Sequence, residues 1–451
     1  MASVTASGIG SGLDITSIVS QLVNAERAPQ ENRLASKEAL IQARLSAYGS
    51  LKSALSTFQS SLSSLKNAET FTKRSATSSD TAVFTATSTA AAAAGTYSVQ
   101  VEQLATKHKV ATDTGYADSA AVVGSGDLNF TQNGESFSVT IGAANTLADI
   151  RDAVNGAEGN TGVTASIVTD QDGAHLVFSS SKSGLDNAVN VVGTGDLLAV
   201  TSDLVEKAPA LDSKIIVDGF TQTSANLKFE GMIEGVTIDL KTAKPGESLS
   251  LAVKLDTASV KKSIEGFVTS YNTLITTLND LTAFDAEANT AGLLQGDSAT
   301  RTVANRIRQE MGTIVGGLGV ELDSLAELGI TTGDKGKIKI DAAKLSSVLD
   351  TDFANIAGVF SGDKGYATRL DSVIGNITAG GGILDNRTEG LKKQVERIAE
   401  QRETLNRRVA SIEARYQAQF SALDTLLGQL NSTGTFLTQQ LDNLPGAVFK
   451  K

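Results

Sequence analysis

The chain has 451 residues, enough for two to four domains, and its 41% hydrophobic and 20% charged content suits a soluble globular protein. A net charge of −11 argues against a nucleic-acid backbone or an anionic membrane as a general partner, and the absence of cysteine excludes disulfides, thiol catalysis and thiolate metal sites. The opening residues lack the basic and apolar regions of a Sec signal peptide, and no apolar run reaches the ~18–20 residues that span a bilayer. The expectation is a chain that inserts in no membrane and is either cytosolic or exported without a cleaved signal.

Residues 1–13 are small and Gly-rich. Asp14 is a candidate N-cap for a helix carrying Ile15, Ile18, Val19 and Leu22. Pro29 is expected to end or bend that helix, because proline disfavours helical geometry in the residue before it. A second helix then follows a heptad stripe of Leu34, Ile41, Tyr48, Leu55 and Leu62, with Leu51, Phe58 and Leu65 beside it. From about Ser75 the apolar period changes from seven to two. Tyr97, Val99 and Val101 alternate with polar residues, as do Phe137, Val139 and Ile141, and then Val163, Ala165 and Ile167. Between these last two runs, Leu147, Ile150 and Val154 predict a short helix capped at Asn145 or Thr146, giving a small β-β-α-β-β unit. Val236, Ile238 and Leu240 lead through Lys244-Pro245-Gly246-Glu247 into Leu249, Leu251, Val253 and Leu255, which reads as a hairpin.

Helical spacing returns at Ile264, Phe267, Val268, Tyr271, Leu274, Ile275 and Leu278, and further helices are expected over 298–315, 342–359 and 364–378. Gly329-Ile330-Thr331 and Ile338-Lys339-Ile340 flank a turn at Lys335-Gly336. A long helix begins near Asn386. One of its rows holds Leu391, Ile398, Leu405 and Ile412, and another holds Val395, Val409, Tyr416, Leu423, Leu430 and Leu437. Gly434 falls inside this stripe and predicts a weak point or hinge.

The local motifs yield no catalytic, cofactor or metal site. Gly8-Ile9-Gly10-Ser11-Gly12 follows no strand and misplaces the third glycine of a dinucleotide loop. Gly333 to Lys337 lacks the upstream glycine of a P-loop. Asp170-Gln171-Asp172-Gly173 lacks the later ligands of a calcium loop and reads as a turn. The two histidines, His108 and His175, are too few for a His-rich zinc site and read as surface residues on strands. Acidic pairs such as Asp149/Asp152 and Asp350/Asp352 are tied to no pocket, so the chain is not expected to be an enzyme. The basic residues of 387–415 are interspersed with glutamate, as on a solvated helix face.

The fold expected from these patterns is α+β and multidomain. N- and C-terminal helices pair as a coiled-coil stalk through Leu34, Ile41, Tyr48, Leu55, Leu62, Leu391, Ile398, Leu405 and Ile412, with β-rich head domains inserted between them. The divisions read from the sequence are 1–40 with 425–451 as terminal legs, 41–75 with 259–424 as the stalk, 76–110 with 200–258 as one β-rich domain, and 111–199 as a second containing the β-β-α-β-β unit. Ile15, Ile18, Val19, Leu22, Leu426, Leu430 and Leu437 form thin apolar stripes beyond the stalk. They are the candidate partner-binding residues, with Gly8, Gly10, Gly12 and Gly434 as candidate hinges.

The run from Gly8 through Asp14-Ile15 to Ile18-Val19-Ser20-Gln21-Leu22-Val23 resembles bacterial flagellar filament cap proteins, the hook-associated protein 2 family. So do Leu45-Ser46-Ala47-Tyr48-Gly49-Ser50-Leu51-Lys52 and Gly95-Thr96-Tyr97-Ser98-Val99-Gln100-Val101-Glu102-Gln103-Leu104-Ala105. Asn145-Thr146-Leu147-Ala148-Asp149-Ile150 with Val163-Thr164-Ala165-Ser166 resembles a small repeat of flagellar axial proteins. Phe267 to Asn272, Gly292-Leu293-Leu294-Gln295-Gly296-Asp297 and Leu328 to Thr332 extend the likeness over nearly the whole chain.

The resemblance implies an extracellular, non-enzymatic assembly factor exported through the flagellar type III apparatus to the flagellum tip. It implies a homo-oligomeric ring, often a pentamer, that retains flagellin and helps it insert. The terminal helices would reach filament or hook-associated junction sites, and an export chaperone would cover the C-terminal helix near Leu423 to Leu437. The alternatives are a hook–filament junction protein, another axial protein, or a surface adhesin acting on mucin or host glycans through the β-rich part.

Overall fold

The computed structural model describes residues 14–316 and 322–442. The sequence readings at Gly8, Gly10, Gly12 and Pro445–Lys451 lie outside the described residues. In chain order, α1 (Ile15–Lys66) is followed by β1 (Arg74–Ser78), β2 (Phe84–Ser88), β3 (Gly95–Gln103), β4 (Lys107–Thr112), β5 (Gly126–Gln132), β6 (Glu135–Ile141) and α2 (Leu147–Asn155). Next come β7 (Val163–Thr169), β8 (Ala174–Ser183), β9 (Asn190–Gly193), α3 (Leu197–Ser202), β10 (Leu204–Ala208), β11 (Ser213–Val217), β12 (Phe220–Ser224), β13 (Lys228–Glu230), β14 (Val236–Leu240) and β15 (Leu249–Leu255). The chain continues through α4 (Thr257–Thr282), β16 (Phe284–Asp285), β17 (Thr290–Ala291), α5 (Ser298–Gly312), β18 (Ile330–Thr332), β19 (Ile338–Ile340), α6 (Ala342–Thr351), α7 (Phe353–Phe360), α8 (Tyr366–Thr378) and α9 (Ile383–Asp442).

Two compact units divide the chain, one from Met1–Asn67 with Lys261–Lys451 and one from Ala68–Val260. The first is helical. The Asp14 carboxylate accepts from the Ser17 N–H and caps α1, which then runs unbroken for 52 residues, roughly 78 Å. Pro29 neither ends nor breaks it, contrary to the sequence expectation. The bond that proline forfeits would have gone to the Ala25 carbonyl, and both residues lie on the solvent face, where water can serve that carbonyl. The tertiary contacts of α1 on both sides of Pro29 offset the remaining cost.

The stripe on α1 divides between two sets of partners. Toward its C-terminal end, Phe58 packs against Phe267 and Tyr271 of α4, and Phe267 in turn meets Phe360 of α7. Gln59 and Lys66 both reach Asp371 of α8, Lys66 at 2.7 Å. Leu55 and Leu62 are therefore core of a multi-helix bundle as well as members of the stripe. The remainder of α1 lies along α9. The helix expected over 342–359 is two helices, because Asp352 leaves helical geometry (φ −128°, ψ 27°) as its N–H closes α6 on the Val348 carbonyl. Helix α5 stops at Gly312 rather than 315, where Arg369 takes the Glu310 and Thr313 carbonyls at 3.1 and 2.7 Å.

The second unit is β-rich and holds two cores. In one, a five-stranded sheet of order β1-β15-β3-β11-β12 and a three-stranded sheet of order β13-β14-β2 enclose Phe84, Val99, Val101, Ile215, Phe229, Ile238, Leu251 and Val253. In the other, sheets of order β10-β4-β8-β7 and β6-β5-β9, with α2, enclose Leu128, Phe130, Ile150, Phe178 and Leu197. The second core is an insertion into the first. Strands β3 and β11 pair directly, from Val99↔Val217 to Gln103↔Lys214, and everything from β4 to β10 lies between them in sequence.

The hairpin expected at 236–255 is absent. Strand β14 pairs with β13 and β2, whereas β15 pairs with β1 and β3, so the two belong to different sheets. The Pro245-Gly246 turn is real, with Gly246 at φ 76° and the Glu247 N–H on the Lys244 carbonyl. It serves as a corner between sheets. The Lys244 N–H donates to the Val101 carbonyl and its ammonium lies 3.0 Å from Asp80, which ties the corner to both sides of the core.

Within the inserted group, β5-β6-α2-β7-β8 gives the order strand, strand, helix, strand, strand. Thr146 caps α2 through a reciprocal box: its Oγ1 accepts from the Asp149 N–H at 3.2 Å, and the Asp149 carboxylate accepts from the Thr146 N–H at 2.8 Å.

Candidate functional site

The terminal helix pair carries the most distinctive surface of the helical unit. Helices α1 and α9 are antiparallel, and their register is marked by polar contacts that flank the apolar seam. Arg402 lies 3.2 Å from Glu31 and 2.5 Å from Glu38, and the Tyr416 hydroxyl donates to Glu26 at 3.0 Å. Leu34, Ile41, Tyr48, Leu391, Ile398, Leu405, Val409 and Ile412 are all buried. Arg387, at the start of α9, pairs with Asp297 at 2.9 Å, and Asp297 is also the N-cap of α5.

The seam shifts beyond Ile412. A straight α-helix drifts by about 20° per heptad relative to a strict seven-residue repeat. The row Val395, Val409, Tyr416, Leu423 consequently rotates off the contact face, and by the Glu26–Tyr416 register Leu430 and Leu437 lie past the point of α9 that faces Ile15, where the described part of α1 begins. Tyr416 is half-buried, Leu423 is exposed, and Leu430 and Leu437 are 60% and 55% exposed. Phe420 and Leu427, on the neighbouring row, are half-buried instead. The register set by Glu26 and Tyr416 places these two alongside the first turns of α1.

The candidate residues therefore separate. Ile15 and Val19 are buried in the single chain, Ile18 is half-buried and Leu22 is exposed. The sequence placed all four on a stripe beyond the stalk; in the single chain Ile15 and Val19 are instead covered, because this segment is the opening of a long helix packed in its own unit. On α9, Leu426, Leu430 and Leu437 are exposed, joined by Leu423, Phe436 and Leu441. Helix α9 is continuous through Gly434, where an added Cβ would meet nothing within 4 Å. The sequence reading missed Arg402 and its two glutamates. Their signal was present, since Arg402 interrupts an apolar row between Val395 and Val409, and Glu31 and Glu38 are seven residues apart beside the opposing row.

The turn motifs are structural. Asp170 to Gly173 links β7 and β8, and Gly333 to Lys337 links β18 and β19 with Lys335 at φ 56°. Both histidines are buried rather than on the surface, His108 at 8% and His175 at 9% exposure, each held by hydrogen bonds through both ring nitrogens. Among the described residues no group of three or more His, Asp or Glu could hold a metal ion, and no helix is long and apolar enough to cross a membrane.

Comparison with known proteins decides the family. Residues 11–108 match the flagellar hook-associated protein 2 N-terminus and residues 210–432 its C-terminus. An A-type flagellar hook-associated protein 2 of Pseudomonas aeruginosa is 37% identical, with 99% of each chain covered. The chain belongs to the flagellar hook-associated protein 2 family. A family member from Escherichia coli K12 is 33% identical over 98% of this chain and 99% of its own. The crystal structure of the D1-D2-D3 domains of the flagellar cap protein FliD from Escherichia coli is similar at a TM-score of 0.60 and 31% identity, covering 77% of this chain and 99% of that one.

The family matches follow the architecture. The N-terminal match runs through α1 to the start of β4, and the C-terminal match from just before β11 into α9. Between them, residues 127–182 match the flagellin hook IN motif, which is the β5-β6-α2-β7-β8 stretch. The family is a structural one, not an enzyme family.

Proposed function

We propose that this protein caps the flagellar filament as a homo-oligomeric ring, five copies being the stoichiometry the resemblance implies. The ring retains exported flagellin at the tip and promotes its folding and insertion. The full-length relationship to flagellar hook-associated proteins 2 carries this reading. The exposed leucines of α9 support a division of labour in which Leu426, Leu430 and Leu437 dock on flagellin, the distal filament or a junction protein. Before assembly the same face, from Leu423 to Leu437, is what an export chaperone covers. Export proceeds through the flagellar type III route without a cleaved signal.

The test is complementation of a cap-deficient strain, scoring monomeric flagellin in the medium. The wild-type gene is expected to stop leakage and restore filaments. Leu430→Asp leaves the fold intact, because this side chain is solvent-facing in the single chain, and is expected to be exported yet to leak flagellin. Full leakage with the wild-type gene overturns the cap reading, and full capping by Leu430→Asp removes α9 from the docking surface.

A further inference from the structure

The chain's two histidines occupy one four-stranded sheet and are bonded in opposite senses. His108 on β4 accepts the Val189 N–H at Nδ1, 3.0 Å away, and faces Glu206 through Nε2 at 3.1 Å. A nitrogen that accepts carries no proton, so His108 is the neutral tautomer with its hydrogen on Nε2. His175 on β8 has an acceptor on each side. Its Nδ1 lies 2.7 Å from the Thr112 carbonyl, and its Nε2 lies 3.0 Å from the Asp170 carboxylate. A carbonyl and a carboxylate can only accept, so both bonds exist together only when both nitrogens carry hydrogen.

We propose that His175 is held as an imidazolium that clips the Asp170–Gly173 turn to the end of β4, and that loss of its proton loosens this end of the inserted β group. The turn and the loop after β4 interlock around it. Tyr116 and Ala174 exchange both backbone hydrogen bonds at 2.9 and 2.7 Å, and a Cβ added to Gly115 would lie 2.2 Å from the Asp172 carbonyl. Asp170 also accepts the Asp172 N–H, and Asp203 accepts the N–H of Thr114. The charged groups brought to this end are Asp170 and Asp172 from the turn, Asp113 after β4, Asp203 before β10, and Lys207 on β10, which lies 3.7 Å from Asp113. Carboxylates predominate, and Lys207 opposes the imidazolium.

The Thr112 carbonyl and the Asp170 carboxylate hold His175 above the ordinary imidazole range. The sign follows from linkage. The stabilisation is fully present below the unfolded-state value, about 6.5, and is lost as pH rises through the folded-state value. Asp170 is held below the usual carboxylate range by the Asp172 N–H and by His175, so the bond persists on the acid side until that carboxylate protonates.

The experiment uses the untagged full-length chain labelled with ¹⁵N in histidine, which reports two side chains. Below pH 6.5 the His175 ring is expected to be predominantly doubly protonated, with both ring nitrogens carrying hydrogen. Asp170→Asn is expected to return the His175 midpoint toward that of free imidazole. In the wild type, amide exchange over 113–118 and 170–174, corrected for its intrinsic pH dependence, should rise as His175 deprotonates. An unchanged His108 signature in Asp170→Asn shows that the variant has folded. A single neutral tautomer at His175 below pH 6.5 in the wild type overturns the proposal, as does an identical midpoint in folded Asp170→Asn.

Discussion

At the scale of single residues, the terminal pairing depends on groups that heptad reading treats as exceptions. Arg402 sits in an apolar row of α9, and its guanidinium joins Glu31 to Glu38 across the interface. Exposed ion pairs contribute about 0.2–1 kcal/mol, and a bridging arginine held in two of them should fall at the upper end. Arg402→Ala is thus expected to weaken the α1–α9 pairing by about 1 kcal/mol. A double-mutant cycle with Glu38→Ala in denaturant unfolding should return a coupling clearly above zero. Additive single mutants would mean that the contact contributes register but no energy. The buried apolar neighbours act differently. Leu34 and Leu405 are largely enclosed, and truncating either to alanine belongs to the larger class of cavity-forming changes.

At the scale of elements, what could be read from the sequence and what could not have separate physical causes. Period-seven and period-two patterns located the helices and most strands, because each element has one apolar face to bury. The same patterns failed where a tertiary contact decides. Turn chemistry at Pro245-Gly246 gives a chain reversal, but strand pairing depends on β1, β2 and β3, which are distant in sequence from that turn, and on β13, which holds the other edge of β14. The leucines after Tyr416 continue the apolar row as exposed surface, as their place beyond the stalk implied: Leu423 drifts off the contact face, and Leu430 and Leu437 lie past the stretch of α9 that faces the described part of α1. The histidines looked superficial because nothing local reveals that the Thr112 carbonyl and the Val189 N–H face them. Pro29 is the sharpest case. Local preference argues for a break there, and the structure has helix on both sides. Pro29→Ala removes a helix-interior penalty of up to about 3 kcal/mol and adds an N–H that can reach the Ala25 carbonyl. Amide exchange over residues 22–33 is expected to slow in this variant with no change in the β-rich unit. Unchanged exchange there would show that α1 is not continuous through residue 29 in solution.

At the scale of the whole molecule, the β-rich unit is closed upon itself in a way that allows it to be inserted into a helical chain. Its first and last strands, β1 and β15, are antiparallel neighbours from Arg74↔Leu255 to Ser78↔Leu251. The two ends of residues 68–260 therefore emerge side by side, and a host chain can accommodate the unit without rearranging its own termini. The same logic is repeated one level down, where β3 and β11 pair at the base of the β4–β10 group. Nested insertion of this kind makes stability local: each core is built from its own segment, Phe84 and Phe229 in one and Phe130 and Phe178 in the other. The fragment 68–260, expressed alone, is expected to give a dispersed amide spectrum and a cooperative melt, because its boundaries cut no sheet ladder. Arg402→Ala and Pro29→Ala in the full chain should leave that melt where it is while shifting the helical transition. A fragment that is molten by near-ultraviolet dichroism would mean that the β-rich unit draws its order from the helical one, and substitutions in α1 and α9 should then move both transitions together.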